Sequence, residues 1–482
     1  MYFRLMMKQN SSLMDRGLQA WTAALIELIK QKTKHIPKTP QKLHRKLSFL
    51  MAGYAGSRNT GADVRVNEMI RQIFHIMGKE NLDLSVLTID KDASKQYFEG
   101  ATQKLVPQIF PPFIFKHCPQ FDGVIACEGS MFKSKFADAL STFMAGALGM
   151  ANAQNKISIG YGAEAGFMYP AMKNFVQKHC KDSLIICRNQ ASQKILNDMH
   201  IRTKPGTDTA WTYPQPPKQK GQKILRDHGW DGNKPVLAIC PINPFCWPVK
   251  PSLGKSLARI LPQKNQDGHY KSIYFFNTSQ DNTKKFTRYI QDISRGLQRF
   301  EEKEDVFPIL VGMEKLDRKA CLALNQVHPH AMPMFISDQW DMDEMVAILH
   351  QASMLVSSRF HAIVCSMAGL VPSAGITMDE RILNLLTDRR DTGLLMQVDQ
   401  DDLEDKLFET LIQLDQDREG IQTRISQMIP RELKKMGQMG IDFSKEVQRV
   451  YPQAKLNIHS TKWEDYLPPL IDRTQNLLDT YA

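Results

Sequence analysis

The chain has 482 residues, enough for two or three domains around well-buried cores. Apolar residues make up 42% and charged residues 23%, as in ordinary globular proteins, and no apolar run reaches the roughly 20 residues needed to span a bilayer. The formal net charge is +11, but residues 1–50 carry ten Lys/Arg against Asp15 and Glu27, so +8 sits in an arm and only +3 in the remainder. The high pI therefore does not mark the body as a nucleic-acid binder, and none is expected as a partner.

The opening stretch, MYFRLMMKQNSSLMDRG, lacks the continuous apolar segment and small-residue cleavage site of a secretory signal. The expectation is a cytoplasmic protein, or one held peripherally at the inner face of a membrane. The eight cysteines form no C-x-x-C pair, and no histidines follow at zinc-finger spacing. Several lie in strand-like runs, such as LIIC before Arg188 and LAIC before Pro241, and read as reduced, buried, small apolar side chains. His328 and His330 bracket Pro329 without a third ligand, so no metal site is expected.

In chain order, the arm comes first. Met14, Leu18, Trp21, Leu25 and Leu28 recur at spacings of four and three, which predicts a helix with one apolar face. A basic stretch follows, KQKTKHIPKTPQKLHRK, broken by Pro37 and Pro40. Residues 1–45 thus form a basic helical arm and linker. The ordinary expectation is that the apolar face packs on the body; the alternative is peripheral contact with anionic lipid or a lipid-linked substrate.

From residue 46 the pattern becomes short apolar strands alternating with helices, the mark of parallel sheets with helical crossovers. LSFLMAGY, LSVLTID, FDGVIAC, KISIGYG and SLIIC read as strands of a first Rossmann-like domain, residues 46–215, and FADALSTFMAGALGMANAQ as a helix between two of them. YPQPPKQKGQ, Tyr213–Gln222, reads as the interdomain linker. PVLAICPI, SIYFFNT, VFPILVG, MPMFIS, SMLVSS and VPSAGI are the strands of a second such domain, residues 223–400. DQWDMDEM reads as the acidic first turn of a helix reaching His350. Residues 401–482 are a helical tail, with Leu403, Leu407, Leu411 and Leu414 on one face and Ile421, Ile425 and Met428 on another. The fold class is α/β: two Rossmann-like domains facing a cleft, with ligand expected at the carboxyl ends of the strands.

The strongest local signal is SMLVSSRFHAIVCSMAGLVPSAGI. A strand ends at Val356, Ser357 or Ser358 caps the next helix, and Gly369 and Pro372 stop it. Arg359 and His361 then fall at or near its first turn, where free N–H groups attract anions. Arg359 offers a planar fork for phosphate or carboxylate, and His361 can move a proton near neutral pH. The alternative is that His361 caps the helix and Arg359 pairs with an acid of the other domain. In SRNTGADVRV, Asn59, Gly61 and Asp63 sit at a strand-to-helix junction that either holds an acceptor or anion or is simple turn chemistry. Ser158, Gly160 and Gly162 could let backbone approach a ligand. Asp379 and Glu380, beyond the last strand, are either an auxiliary base or solvated loop charges.

Together these stretches resemble the polysaccharide pyruvyl transferases. The family's strand ending in Ser, then Arg-x-His, small apolar helix and Gly-x-Pro corresponds to SSRFHAIVCSMAGLVPSAGI. GYAGSRNTGADVRVNEMI is similar to its first loop, KISIGYGAEAG to its Ser-Ile-Gly strand end, and LIICRNQASQKIL with GTDTAW to its Arg-Asp…Asp-Pro pair, in order over residues 48–395. Three positions depart from it: Asn189 for Asp, Thr209 for Pro, and Glu128 before Gly129. The resemblance implies a fold like the B-type two-domain glycosyltransferases. It implies transfer of a pyruvyl group from phosphoenolpyruvate to a sugar or lipid-linked glycan, forming a cyclic ketal with no cofactor. By position, Arg188, Arg359 and Ser358 would hold the donor, with Arg359 and His361 catalytic and His361 the acid/base. A nucleotide-sugar glycosyltransferase of the same fold and a non-catalytic glycan-binding relative are the alternatives.

Overall fold

The computed structural model describes residues 11–35, 45–252 and 274–481. Two wholly parallel sheets dominate it. The first contains β1 (Leu47–Ala55), β2 (Leu82–Thr88), β3 (Thr102–Leu105), β4 (Gly123–Ala126), β5 (Ile157–Ala163), β6 (Leu184–Cys187) and β7 (Arg202–Pro205), in the order β3-β2-β1-β4-β5-β6-β7. After β8 (Val236–Cys240), a two-residue antiparallel pair, β9 (Lys250–Pro251) and β10 (Tyr274–Phe275), stands apart. The second sheet adds β11 (Phe307–Gly312), β12 (Met334–Ile336), β13 (Met354–Ser357), β14 (Ser373–Thr377) and β15 (Leu395–Gln397), in the order β12-β11-β8-β13-β14-β15.

The central strands are covered on both faces by helices, which is why they read as continuous apolar runs. Phe49 to Ala52 of β1 and Val124 to Ala126 of β4 are fully buried. Strand order reverses between β1 and β4 in the first sheet and between β8 and β13 in the second. Each reversal opens a crevice at the carboxyl ends. The described part of SIYFFNT is not a strand of the second sheet: among the described residues, Tyr274 and Phe275 pair with the Lys250–Pro251 stretch. The expected linker is coil only to Pro217, because Lys218–Arg226 is a helix that buries Ile224 and Leu225 in the second half.

The two halves are joined by the helix Arg418–Val450. Its first part packs Ile421, Ile425 and Met428 into the core of the second half, and its last part packs Met439, Phe443 and Val447 against the first sheet. Between them Glu432 accepts from Thr207, and the Met436 carbonyl accepts from Gln72 Nε2 at 2.9 Å. The tail is therefore an interdomain brace.

At the other end the helix Leu13–Thr33 lies on the Ala/Gly-rich helix Asp138–Asn152. Here the expectation of a buried Leu18/Trp21/Leu25 face is corrected. The buried stripe is Asp15, Gln19, Thr22, Ile26 and Ile29, one residue away, while Leu18 and Leu25 are half-buried and Trp21 and Leu28 exposed. All eight cysteines are free thiols, seven of them buried.

Candidate functional site

The Arg-x-His segment lies at the carboxyl end of β13, beside the strand-order reversal. Ser357 Oγ accepts from the Arg359 N–H at 2.9 Å and turns the chain into the helix Phe360–Met367. Ser358 points the other way: it is buried, its hydroxyl is 2.8 Å from Tyr289 Oη, and its N–H donates to the Cys240 carbonyl. This places Ser358 in the core of its own half. Arg359 is turned onto two acids of the same half. Its Nε donates to Asp317 at 2.9 and 3.1 Å, and its Nη2 donates to Glu314 at 2.9 Å. Glu314 also accepts from Tyr54 Oη of the first half at 2.9 Å. Burial pushes the Asp317 carboxyl up to about 6, and the adjacent Arg359 charge limits the rise.

His361 faces the first half. Its Nε2 is 3.3 Å from Asp208 Oδ2, just past β7. The same oxygen is 3.0 Å from Arg188 Nη1 and 3.2 Å from Arg65 Nε. Burial opposes ionisation of Asp208, but His361, Arg65 and Arg188 outweigh it and hold the carboxyl well below the usual range. Burial lowers His361, with Asp208 partly opposing, so its imidazole is neutral near pH 7. Arg188 is lowered by burial to about 10 and keeps its charge.

Arg188 stacks on the Phe360 ring at 4.4 Å and also pairs with Glu164. Glu164 in turn accepts from Lys133 Nζ at 3.0 Å, and Glu380 of the second half meets the same amine at 2.7 Å. Glu380 is thus a cross-domain ion-pair partner. An adjoining pocket is lined by Arg188, Asn189 and Asp208 from one half and Phe360, Arg381 and Asn384 from the other, with Met428 and Glu432 of the brace helix closing it.

The departures from the family pattern have local explanations. Asn189 caps the helix Gln190–Asn197 by accepting from Ser192 N at 2.8 Å, so the cap survives without an acid beside Arg188. Thr209 begins a 3-10 turn capped by Asp208, where a backbone N–H is not required, and its hydroxyl donates to the Arg65 carbonyl. After Glu128, Gly129 leaves room for Arg188: a Cβ there would lie 2.7 Å from its Nη1.

Of the first-loop residues, Asn59 caps the helix Thr60–Met77 by accepting from Ala62 N. Gly61 lies directly under His361; a Cβ would come within 2.2 Å of the histidine Cβ. Asp63 is fully buried and its Oδ1 accepts from Gly56 N at 2.7 Å. Gly160 and Gly162 belong to β5 and not to a ligand loop. Gly160 accommodates Ile185 and Met131, while the Gly162 carbonyl accepts from Arg65 Nη2 at 2.6 Å. The structure therefore groups Gly61, Arg188 and His361 around Asp208, and directs Arg359 elsewhere.

Arg65, Lys133, Glu164, Glu314 and Asp317 escape a reading by motif. Arg65 had a signal: an arginine flanked by Val64 and Val66 in a helix read as packing on the sheet needs a buried partner. It finds Cys127 and Tyr161 carbonyls at 2.8 and 3.0 Å.

Two facing Rossmann-like halves with a returning terminal helix define a glycosyltransferase-B-type α/β protein. The Anabaena protein HepE, crystallised with UDP-glucose, shares this fold at TM-score 0.52 and 12% identity, over 83% of this chain and 100% of that one. A Neisseria meningitidis UDP-GlcNAc 2-epimerase bound to UDP-GlcNAc aligns at TM-score 0.48 and 11% identity, over 84% and 100%. A search of curated proteins finds no match. The family model for polysaccharide pyruvyl transferase matches residues 59–380, most of the chain, and the protein belongs to that family.

Proposed function

We propose that this transferase moves a pyruvyl group from phosphoenolpyruvate to two hydroxyls of a sugar, in a polysaccharide or lipid-linked glycan, closing a cyclic ketal. The observation that carries the reading is the convergence of Arg188 from one half and His361 from the other on Asp208, beside an interdomain pocket. Family membership supports it.

In this reaction two sugar O–H bonds break and two C–O bonds form at the donor's central carbon. The bond from that carbon to the phosphate oxygen breaks. One proton goes to the vinyl carbon, making a methyl group, and the other leaves with phosphate. Arg188 suits the donor's anionic groups, which would compete with Asp208 and Glu164 for its fork. Neutral His361 suits the proton transfer, taking a proton from an attacking hydroxyl and returning it. Asp208 acts through His361 and Arg188 as a positioning residue. Arg359, held by Glu314 and Asp317, orients the helix start that carries His361 in this reading, and reaches the donor only by leaving those acids.

The test is incubation of purified protein with phosphoenolpyruvate and a panel of glycosides and lipid-linked sugars. Phosphate release with a pyruvylated product by mass spectrometry is expected. Product formation from UDP-glucose in place of phosphoenolpyruvate would replace this reading by a glycosyltransferase.

A further inference from the structure

The helix Leu13–Thr33 presents an unusual outward face. Its inner side is fixed by polar and close contacts. Ser11 Oγ donates to Asp138 at 2.6 Å, Tyr274 Oη donates to Asp15 at 2.9 Å, and Thr33 Oγ1 donates to the Ala153 carbonyl at 2.6 Å. Thr22 and Ile26 sit against Gly146 and Gly149, where a Cβ would come within 2.6 and 2.8 Å of them. These anchors fix the rotation of the helix.

With that rotation fixed, the side away from the body is Leu13, Gly17, Ala20, Trp21, Ala24 and Leu28, all exposed. Leu13 is 85% exposed, Trp21 44% and Leu28 46%. A surface helix ordinarily turns charged residues outward; this face has none along its centre. Cations flank it: Arg16, Lys30 and Lys34 are exposed, and the sequence continues with Lys38 and Lys42. On the helix and its C-cap Arg16, Lys30, Lys32 and Lys34 outnumber the half-buried Glu27 and the buried Asp15, which makes it a basic pole among the described residues. No helix among the described residues is long and apolar enough to cross a membrane.

We propose that this face docks on an anionic phospholipid bilayer. Trp21, Leu28 and Leu13 enter the headgroup–acyl boundary, and the flanking lysines and arginine face lipid phosphates. Charge complementarity selects the occupant. A second copy of the chain would oppose like-charged poles, whereas an anionic surface neutralises them. The surface is distinct from the interdomain pocket, so the proposal stands whether or not the donor is phosphoenolpyruvate.

The test is cosedimentation of the full chain with vesicles of phosphatidylglycerol mixed with phosphatidylcholine, and with phosphatidylcholine alone. Wild type is expected to pellet with the anionic vesicles, much less with the neutral ones, and less as salt is raised to 1 M, where the screening length falls to about 3 Å. Trp21→Ser with Leu28→Ser should weaken partitioning by tenfold or more at an unchanged melting temperature. Lys30→Glu with Lys34→Glu should do the same for anionic vesicles only. Wild type left in the supernatant, or a double serine variant that pellets as wild type does, would overturn the proposal. So would a wild-type dimer in sedimentation velocity that the serine variant abolishes, because the face would then belong to a second copy.

Discussion

Asp63→Asn is expected to stabilise the protein in neutral and alkaline solution. Asp63 is fully buried, and its Oδ2 has no hydrogen-bond partner. Burial pushes its carboxyl from 3.8 up to about 7, with the Gly56 N–H and Arg58 working against the rise. Between these values the folded state keeps a proton that the unfolded chain has released. Stability therefore falls as pH rises, at about 1.4 kcal/mol per pH unit, and levels off once pH passes about 7. From pH 5 to pH 8 this single group should cost about 3 kcal/mol. Asparagine keeps an acceptor for Gly56 N and has no charge to desolvate. For 482 residues the unfolding entropy is about 1 kcal/mol/K, so the variant's advantage in melting temperature should grow by about 3 °C between pH 5 and pH 8. Paired thermal melts at the two pH values measure this, since other titrating groups cancel in the difference. Turnover should be unchanged. A variant whose advantage stays constant or shrinks with pH would mean that Asp63 is ionised in the fold, and the reasoning would fail.

Four further outcomes bear on the site. Arg188→Lys keeps a charge but loses the planar fork, so KM for phosphoenolpyruvate should rise roughly tenfold or more with smaller change in kcat; unchanged KM in steady-state kinetics would remove Arg188 from the donor site. His361→Ala should lower kcat by about 10² to 10⁴. Asp208→Asn removes the charge that supports protonation of His361, so the acidic limb of the kcat/KM profile should move to lower pH; a limb that stays put would separate Asp208 from the histidine. Gly61→Ala brings a methyl group to 2.2 Å from His361 Cβ and should cost about 1–3 kcal/mol of stability along with most turnover, and normal melting and turnover would show that the two halves need not approach so closely.

The fold was legible where strands are buried on both faces. β1, β4, β5, β6, β8, β11, β13 and β14 read as apolar runs because helices cover them. β3, β7 and β15 were silent for the opposite reason. They are short edge strands: Thr102–Leu105 and Arg202–Pro205 have no buried residue, and Leu395–Gln397 is three residues long with Met396 alone buried. The helix Met342–Leu349 was legible because Asp341 and Glu344 form a reciprocal cap. The arm helix was legible as a helix but not in its rotation. A contiguous apolar stripe normally turns inward, but Asp138 and Tyr274 offer hydrogen bonds to a polar stripe about 100° away, and Gly146 and Gly149 let it approach.

The site shows the same limit more sharply. Spacing located Arg359 and His361 correctly at a helix start, yet residues two apart at such a start project to different sides. One therefore finds Glu314 and Asp317 within its own half, and the other crosses to Asp208. Nothing in Arg-x-His could show this, because the acids come from a turn after β11 and from a turn after β7, each far away in sequence. Charge explains why the arrangement holds. Arg65 and Arg188 are buried charges that would each be costly there alone, and the half-buried, neutral His361 meets the same carboxylate. One carboxylate serves all three, so Asp208 couples the halves and the proposed donor residue to the proposed proton carrier. In the proposed reaction, an anion entering beside Arg188 would disturb His361 as well, through the carboxylate they share.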